Sequence, residues 1–134
     1  MNDQTVLVWL LIEQEDAVLL ALRKPETSPF GGQWALPGDG LEAEESASET
    51  LSRVGREQLD VTVRGEEFVD TLYLQEGGVE YAVNVFRVTS FLGKLRFRES
   101  GPYADIRWAL RNEVPELTGL PPGLGTLITN SKAS

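Results

Sequence analysis

The chain has 134 residues, 41% of them apolar and including three Trp and five Phe, which is enough to fill one core and sets the expectation of a single domain. It contains no Cys and no His, which excludes disulfides, thiolate or imidazole zinc sites, cysteine nucleophiles and a histidine base; any acid, base or metal ligand is a carboxylate, a Lys, a Tyr or the backbone. A net charge of −9 argues against long nucleic acid and anionic membranes as partners, since both call for a basic surface, and leaves room for a small anion escorted by a divalent cation. The longest apolar run, Val6 to Ile12, is too short to span a bilayer and lacks the basic flank of a signal peptide, so a cytoplasmic location is expected.

In chain order, Val6 to Ile12 reads as a strand covered on both faces. Ala17 to Leu22 follows after four polar residues, as the second strand of a hairpin. Pro25 to Gln33 is a loop, Trp34 to Leu36 a short strand, and Pro37-Gly38 a turn into an acidic loop. Ser46-Ala47-Ser48-Glu49 is a capping box, so a helix begins there and runs to about Gln58 or Leu59. On a helical wheel Ala47, Leu51 and Val54 share the apolar face, with Glu49, Ser52, Arg53 and Arg56 largely opposite and Gln58 near the centre of the apolar side.

Phe68 to Leu74 and Val79 to Val88 are β-rich runs around Gln75-Glu76-Gly77-Gly78, a hairpin signal. Phe91 to Tyr103 is expected to be irregular in large part, and Asp105 to Leu110 is the next strand. Asn112 to Leu117 suits a short turn of helix, and Leu124 to Ile128 is a last amphipathic segment before a tail that frays from Asn130. The pattern predicts an α/β or α+β sandwich.

The hairpin VLVWLLIEQEDAVLLALRK, the approach GGQWALPG, the acidic loop and helix, and the closing DIRWALRNEVPEL resemble the Nudix hydrolase family (MutT-like) over nearly the whole chain. The family signature is Gly, five residues, Glu, seven residues, Arg-Glu, an apolar residue, any residue, Glu-Glu, any residue, Gly, apolar. Laid without gaps, it matches at Glu45, Arg53, Glu57 and Val61. It departs elsewhere: Asp39 stands at the first Gly, Val54 at the Glu after the Arg, Gly55 at the apolar position, Gln58 at the second Glu of the pair and Asp60 at the closing Gly.

The resemblance implies a Nudix-type α/β/α sandwich with a mixed sheet. It also implies Mg2+ or Mn2+ held on the helix against a diphosphate, with a metal-activated water attacking phosphorus. Residues 54, 57 and 58 share one helix face, where three carboxylates need cations between them. Only Glu57 of those three is a carboxylate here. By resemblance Glu57, the Gly38 carbonyl and Glu99 are the metal-ligand candidates, and Glu45 pairs with Arg53 across loop and helix. Arg23 or Lys24 is a candidate for a substrate phosphate, and Trp34, with Phe30 and Tyr81, is a candidate to stack on a base. Each has a plainer reading: Glu57 as a solvated helix acid, Val54 as core, Arg23 and Lys24 as a strand-end surface pair, and Trp34 as packing.

Two functions of different class follow from the resemblance. One is a pyrophosphatase-type hydrolase of a nucleoside diphosphate linked to another group, divalent-metal dependent and weak or atypical for want of two helix Glu. The other is a catalytically silent domain that binds a nucleotide or a protein. The expected partner is a small nucleotide or diphosphate, with homodimers common among relatives.

Overall fold

The computed structural model describes residues 5–131. The apolar run forms β1 (Thr5–Gln14), whose side chains alternate between two buried clusters. Leu7, Trp9 and Leu11 enter one, and Val8, Leu10 and Ile12 the other. The expected hairpin forms: β2 (Ala17–Arg23) is antiparallel to β1, with Glu13 opposite Val18 and Gln14 opposite Ala17.

Beyond those pairs the two strands take different neighbours. β2 pairs with β3 (Trp34–Ala35) and with β7 (Tyr103–Leu110). The first half of β1 pairs instead with β4 (Gly38–Gly40), placing Leu7 opposite Gly40 and Trp9 opposite Gly38. This corrects the expectation of a turn leading straight into a loop: the backbone after Pro37 is extended and hydrogen-bonded in the sheet. Only glycine fits at 38, because a Cβ there would lie 2.3 Å from the Val8 carbonyl oxygen and 2.5 Å from Trp9 Cδ1.

Helix α1 (Ala47–Gln58) starts at the predicted capping box: Glu49 N–H donates to Ser46 Oγ at 3.1 Å, and Ser46 N–H donates to Glu49 Oε1 at 2.9 Å. The crossover through α1 allows β6 (Val79–Leu92) to lie parallel to β1, with Thr5 opposite Tyr81 and Ile12 opposite Val88. β5 (Thr62–Glu76) begins earlier than expected and pairs antiparallel with β6, both being longer than their apolar runs. The sheet order is β3-β2-β1-β6-β5, with β4 attached to β1 and β7 to β2, so the sheet is mixed.

Residues 93–102 are irregular, as expected. A 3-10 turn (Arg111–Glu116) and α2 (Leu124–Asn130) follow β7. Val114, Leu124, Leu127 and Ile128 pack on the face bearing Trp9, whereas Leu51, Val54 and Leu59 pack on the face bearing Leu10. The sheet thus lies between α1 and α2, the predicted α/β/α sandwich, and no helix among the described residues is long and apolar enough to cross a membrane.

Candidate functional site

β4, the acidic loop after it and the inner side of α1 converge on Arg53. The helical wheel puts Arg53 opposite the apolar face, but its side chain is buried, because the guanidinium folds back over the loop. Its Nε donates to Glu45 Oε2 at 2.9 Å, and its Nη2 donates to Glu45 Oε1 at 3.0 Å and to the Gly40 carbonyl at 2.8 Å. Carboxylate oxygens of Glu42 and Asp39 lie 3.3 and 3.6 Å from the same guanidinium. Glu45 also accepts from Glu42 N–H at 3.0 Å and from Thr50 Oγ1 at 2.8 Å. The Arg53 guanidinium, helped by the Glu42 amide, holds the Glu45 carboxyl down to about 2. The same pairing raises the pKa of Arg53.

A second set of contacts fixes Gly38. Its N–H donates to the Tyr103 hydroxyl at 2.9 Å; that hydroxyl donates to Gln58 Oε1 at 2.6 Å, and Gln58 Nε2 donates to Asp39 Oδ2 at 3.0 Å. Burial pushes the Tyr103 phenol up, so it stays protonated. The Gly38 carbonyl accepts from Arg23 Nη1 at 3.3 Å, and the Arg23 guanidinium sits 5.9 Å from the centre of the Tyr103 ring. Arg23 is only 8% exposed, which corrects its reading as half of a surface pair: the side chain runs inward to the Gly38 carbonyl of β4. Its Nε is buried without a partner, and no carboxylate among the described residues forms an ion pair with it. Lys24 instead reaches the backbone carbonyl of Glu99.

The remaining sequence candidates are dispersed. The Glu57 side chain is 57% exposed, and its one ion pair among the described residues is with Arg56, at 4.0 Å. Glu99 is exposed and its carboxylate makes no hydrogen bond among the described residues. Trp34 is half-buried, with the Arg107 guanidinium 5.7 Å from its ring centre. Val54 is fully buried beside Leu51 and Val61. Among the described residues no group of three acidic side chains is placed to hold a metal ion.

The divalent cation implied by the family therefore does not fit this donor set. Val54 offers no oxygen, the Gln58 amide oxygen is engaged by Tyr103, the Gly38 carbonyl already receives a cationic donor, and Glu57 is alone. The sequence does not single out Tyr103, and it marks Asp39 only as a departure from the signature and not as a site residue. The available signal was Gln58 itself, since an amide at the centre of an apolar helix face requires a buried partner.

Trp9, Arg23, Pro29, Phe30, Gly38 and Asp39 line a small recess at this site. Phe30 also borders a cavity of about 290 Å³ lined by Gln33, Tyr73, Leu74, Glu76 and Pro121. The loop carrying Phe30 is tied down there: Glu76 accepts from the Phe30 N–H, and the Phe30 ring packs against Trp9 and Tyr81. A cavity of about 560 Å³ between β5 and α2, bordered by Thr71, Arg87 and Leu127, shares none of these residues.

This strand arrangement, with a capped helix clamped to the preceding loop by an Arg-Glu pair, is that of a Nudix domain. The chain belongs to the NUDIX family, whose domain model matches residues 1–130. It is 30% identical over 140 residues to the nucleoside triphosphatase NudI of Enterobacter sp. (strain 638), covering 90% of this chain and 98% of that protein. Among solved structures it is similar to the MutT protein of Methanosarcina mazei Go1, with a TM-score of 0.85 at 18% identity, covering 96% of this chain and 93% of that one. It is also similar to the NUDIX domain of Shewanella oneidensis NrtR complexed with ADP ribose, with a TM-score of 0.74 at 20% identity, covering 96% and 86%.

Proposed function

We propose that this NUDIX domain binds a nucleoside diphosphate or a related diphosphate without a divalent cation, and turns it over slowly if at all. The observation that carries this reading is Arg23, a guanidinium more than nine-tenths buried, with one unpartnered nitrogen and no carboxylate pairing among the described residues. A buried charge without a counter-charge is costly, and an anion that reaches Arg23 offsets that cost; the recess beside Gly38, about 10 Å³ here, has to widen to admit a phosphate. Arginine suits phosphate because its planar fork offers several donors in fixed geometry. The neighbouring cavity, which shares Phe30 with the recess, has the aromatic and amide lining that suits a base or sugar.

The helix supports the slow turnover in this reading. Val54 and Gln58 supply neither a carboxylate base nor a metal ligand, and positioned proton transfer alone contributes about 10²–10⁴ in rate. A second reading, a metal-dependent hydrolase resting on Glu57, is favoured by one observation: that carboxylate is exposed and nearly unpaired, hence accessible to an ion.

Calorimetry with ADP-ribose in the presence of a chelator separates the two. Binding that persists in chelator and is lost in Arg23→Gln is expected. Binding only in the presence of magnesium or manganese, with turnover abolished by Glu57→Gln, overturns the metal-free reading in favour of the second.

A further inference from the structure

The family implies a cation between the loop and the helix; here, beside the Arg53 clamp on Gly40 and Glu45, two uncharged donors also join β4 to α1. We propose that the Gln58 amide and the Tyr103 hydroxyl replace that cation as a second tie between β4 and α1, beside Arg53, so that the Gly38–Gly40 segment keeps its shape without divalent metal. The inference deepens the metal-free reading of the cleft but does not depend on its ligand.

The direction of each hydrogen bond follows from chemistry. A carboxylate only accepts, so the group facing Asp39 Oδ2 at 3.0 Å is the Gln58 nitrogen. The amide oxygen then faces Tyr103, whose hydroxyl donates to it at 2.6 Å and accepts from the Gly38 N–H at 2.9 Å. Each of these contacts is satisfied in one direction only, and the chain of bonds runs from the backbone of β4 through β7 to α1 and back to Asp39. Tyr103 is 1% exposed and Gln58 7%, so water does not compete for the two bonds of the Tyr103 hydroxyl, whereas the Asp39 end of the chain is partly open to solvent.

A carboxylate at 58 would break this arrangement. It would set two acceptor-only groups at hydrogen-bonding distance across the Asp39 contact, a geometry stable only with a proton or a cation between them. The amide donor takes that place. Asp39, at a position where the family signature has Gly, is the second half of the exchange. It supplies the acceptor that gives the Gln58 nitrogen a partner, while its other oxygen caps Gly40 N–H at 2.8 Å. Tyr103 is thus a positioning residue for the Gly38 peptide, whose carbonyl in turn receives Arg23.

Thermal unfolding and amide exchange test the tie independently of any nucleotide. The unaltered protein is expected to unfold at the same temperature in chelator and in millimolar manganese, with the Gly38 amide protected in both. Gln58→Glu is expected to unfold about 5 °C lower in chelator and to recover most of that loss in manganese. Tyr103→Phe keeps the ring and removes only the hydroxyl; it is expected to lose Gly38 protection while amides in the centre of β1 stay protected, a pattern that simple loss of packing would not produce. If Gln58→Glu does not fold, the Tyr103→Phe exchange pattern and the metal response of the unaltered protein still decide. A manganese-induced stabilisation of the unaltered protein, or full Gly38 protection in Tyr103→Phe, overturns the proposal. Failure of ADP-ribose to bind leaves these results unchanged and counts only against the functional reading.

Discussion

Arg53 grips Glu45 by two nearly parallel hydrogen bonds, Nε to Oε2 at 2.9 Å and Nη2 to Oε1 at 3.0 Å, while the same Nη2 donates to the Gly40 carbonyl at 2.8 Å. One guanidinium therefore fixes both ends of the acidic loop to the helix. Lysine carries the same charge but cannot form the planar fork, and it would leave acceptors unpaired around a side chain that is only 10% exposed. Arg53→Lys is expected to cost about 1–3 kcal/mol of stability in urea unfolding. A change near zero would show that the loop holds its shape through other contacts.

The same pair gives the domain an acid-sensitive contact. The Arg53 guanidinium and then the Glu42 amide depress the Glu45 carboxyl from 4.5 to about 2. Its folded pKa lies below its unfolded one, so the unfolded chain binds more protons in between, and stability rises with pH there. The contribution of Glu45 is fully present above 4.5 and is lost as pH falls from 4.5 towards 2. Urea titrations across that interval are expected to show a decline that is shallower in Arg53→Lys. An identical pH dependence in the two proteins would remove Glu45 as its source.

Period and capping made much of the frame legible. The apolar run of β1 announced a strand covered on both faces, and Ser46 with Glu49 announced the start of α1. β4 was not legible, because Gly38, Asp39 and Gly40 have little strand propensity and pair only because the backbone of β1 is beside them. The expected Glu45–Arg53 pair forms, but the wheel set Arg53 opposite the apolar face and the plainer reading of Arg23 set it on the surface, and both are buried for one shared reason. Periodicity reports where a Cβ points, whereas a guanidinium at the end of a long stem can turn back onto a carbonyl or carboxylate. Gln58 stood out as a polar residue on an apolar face, but its partner Tyr103 lies 45 residues away and no local pattern joins them. Val54 was readable as core from the wheel, and it is fully buried there.

Gly55 sets two opposing effects against each other. In an exposed helix interior, replacing Gly by Ala stabilises by about 0.5–1 kcal/mol, because the unfolded chain loses freedom and the helix gains propensity. Here a Cβ at 55 would lie 2.9 Å from Val63 Cγ2 and 3.2 Å from the Val61 carbonyl oxygen. Val63 is β-branched and stiff at χ1, and the Val61 backbone is held because its N–H donates to the Gly55 carbonyl at 2.9 Å. Neither neighbour yields freely, and overpacking of this kind costs about 1–3 kcal/mol. The steric effect wins, so Gly55→Ala is expected to destabilise by about 1 kcal/mol net in urea unfolding. Val63→Ala in the same background removes the nearer clash, so the Gly55→Ala penalty is expected to shrink or reverse sign there. If Gly55→Ala alone stabilises the protein, α1 and the start of β5 are less closely packed than these distances require.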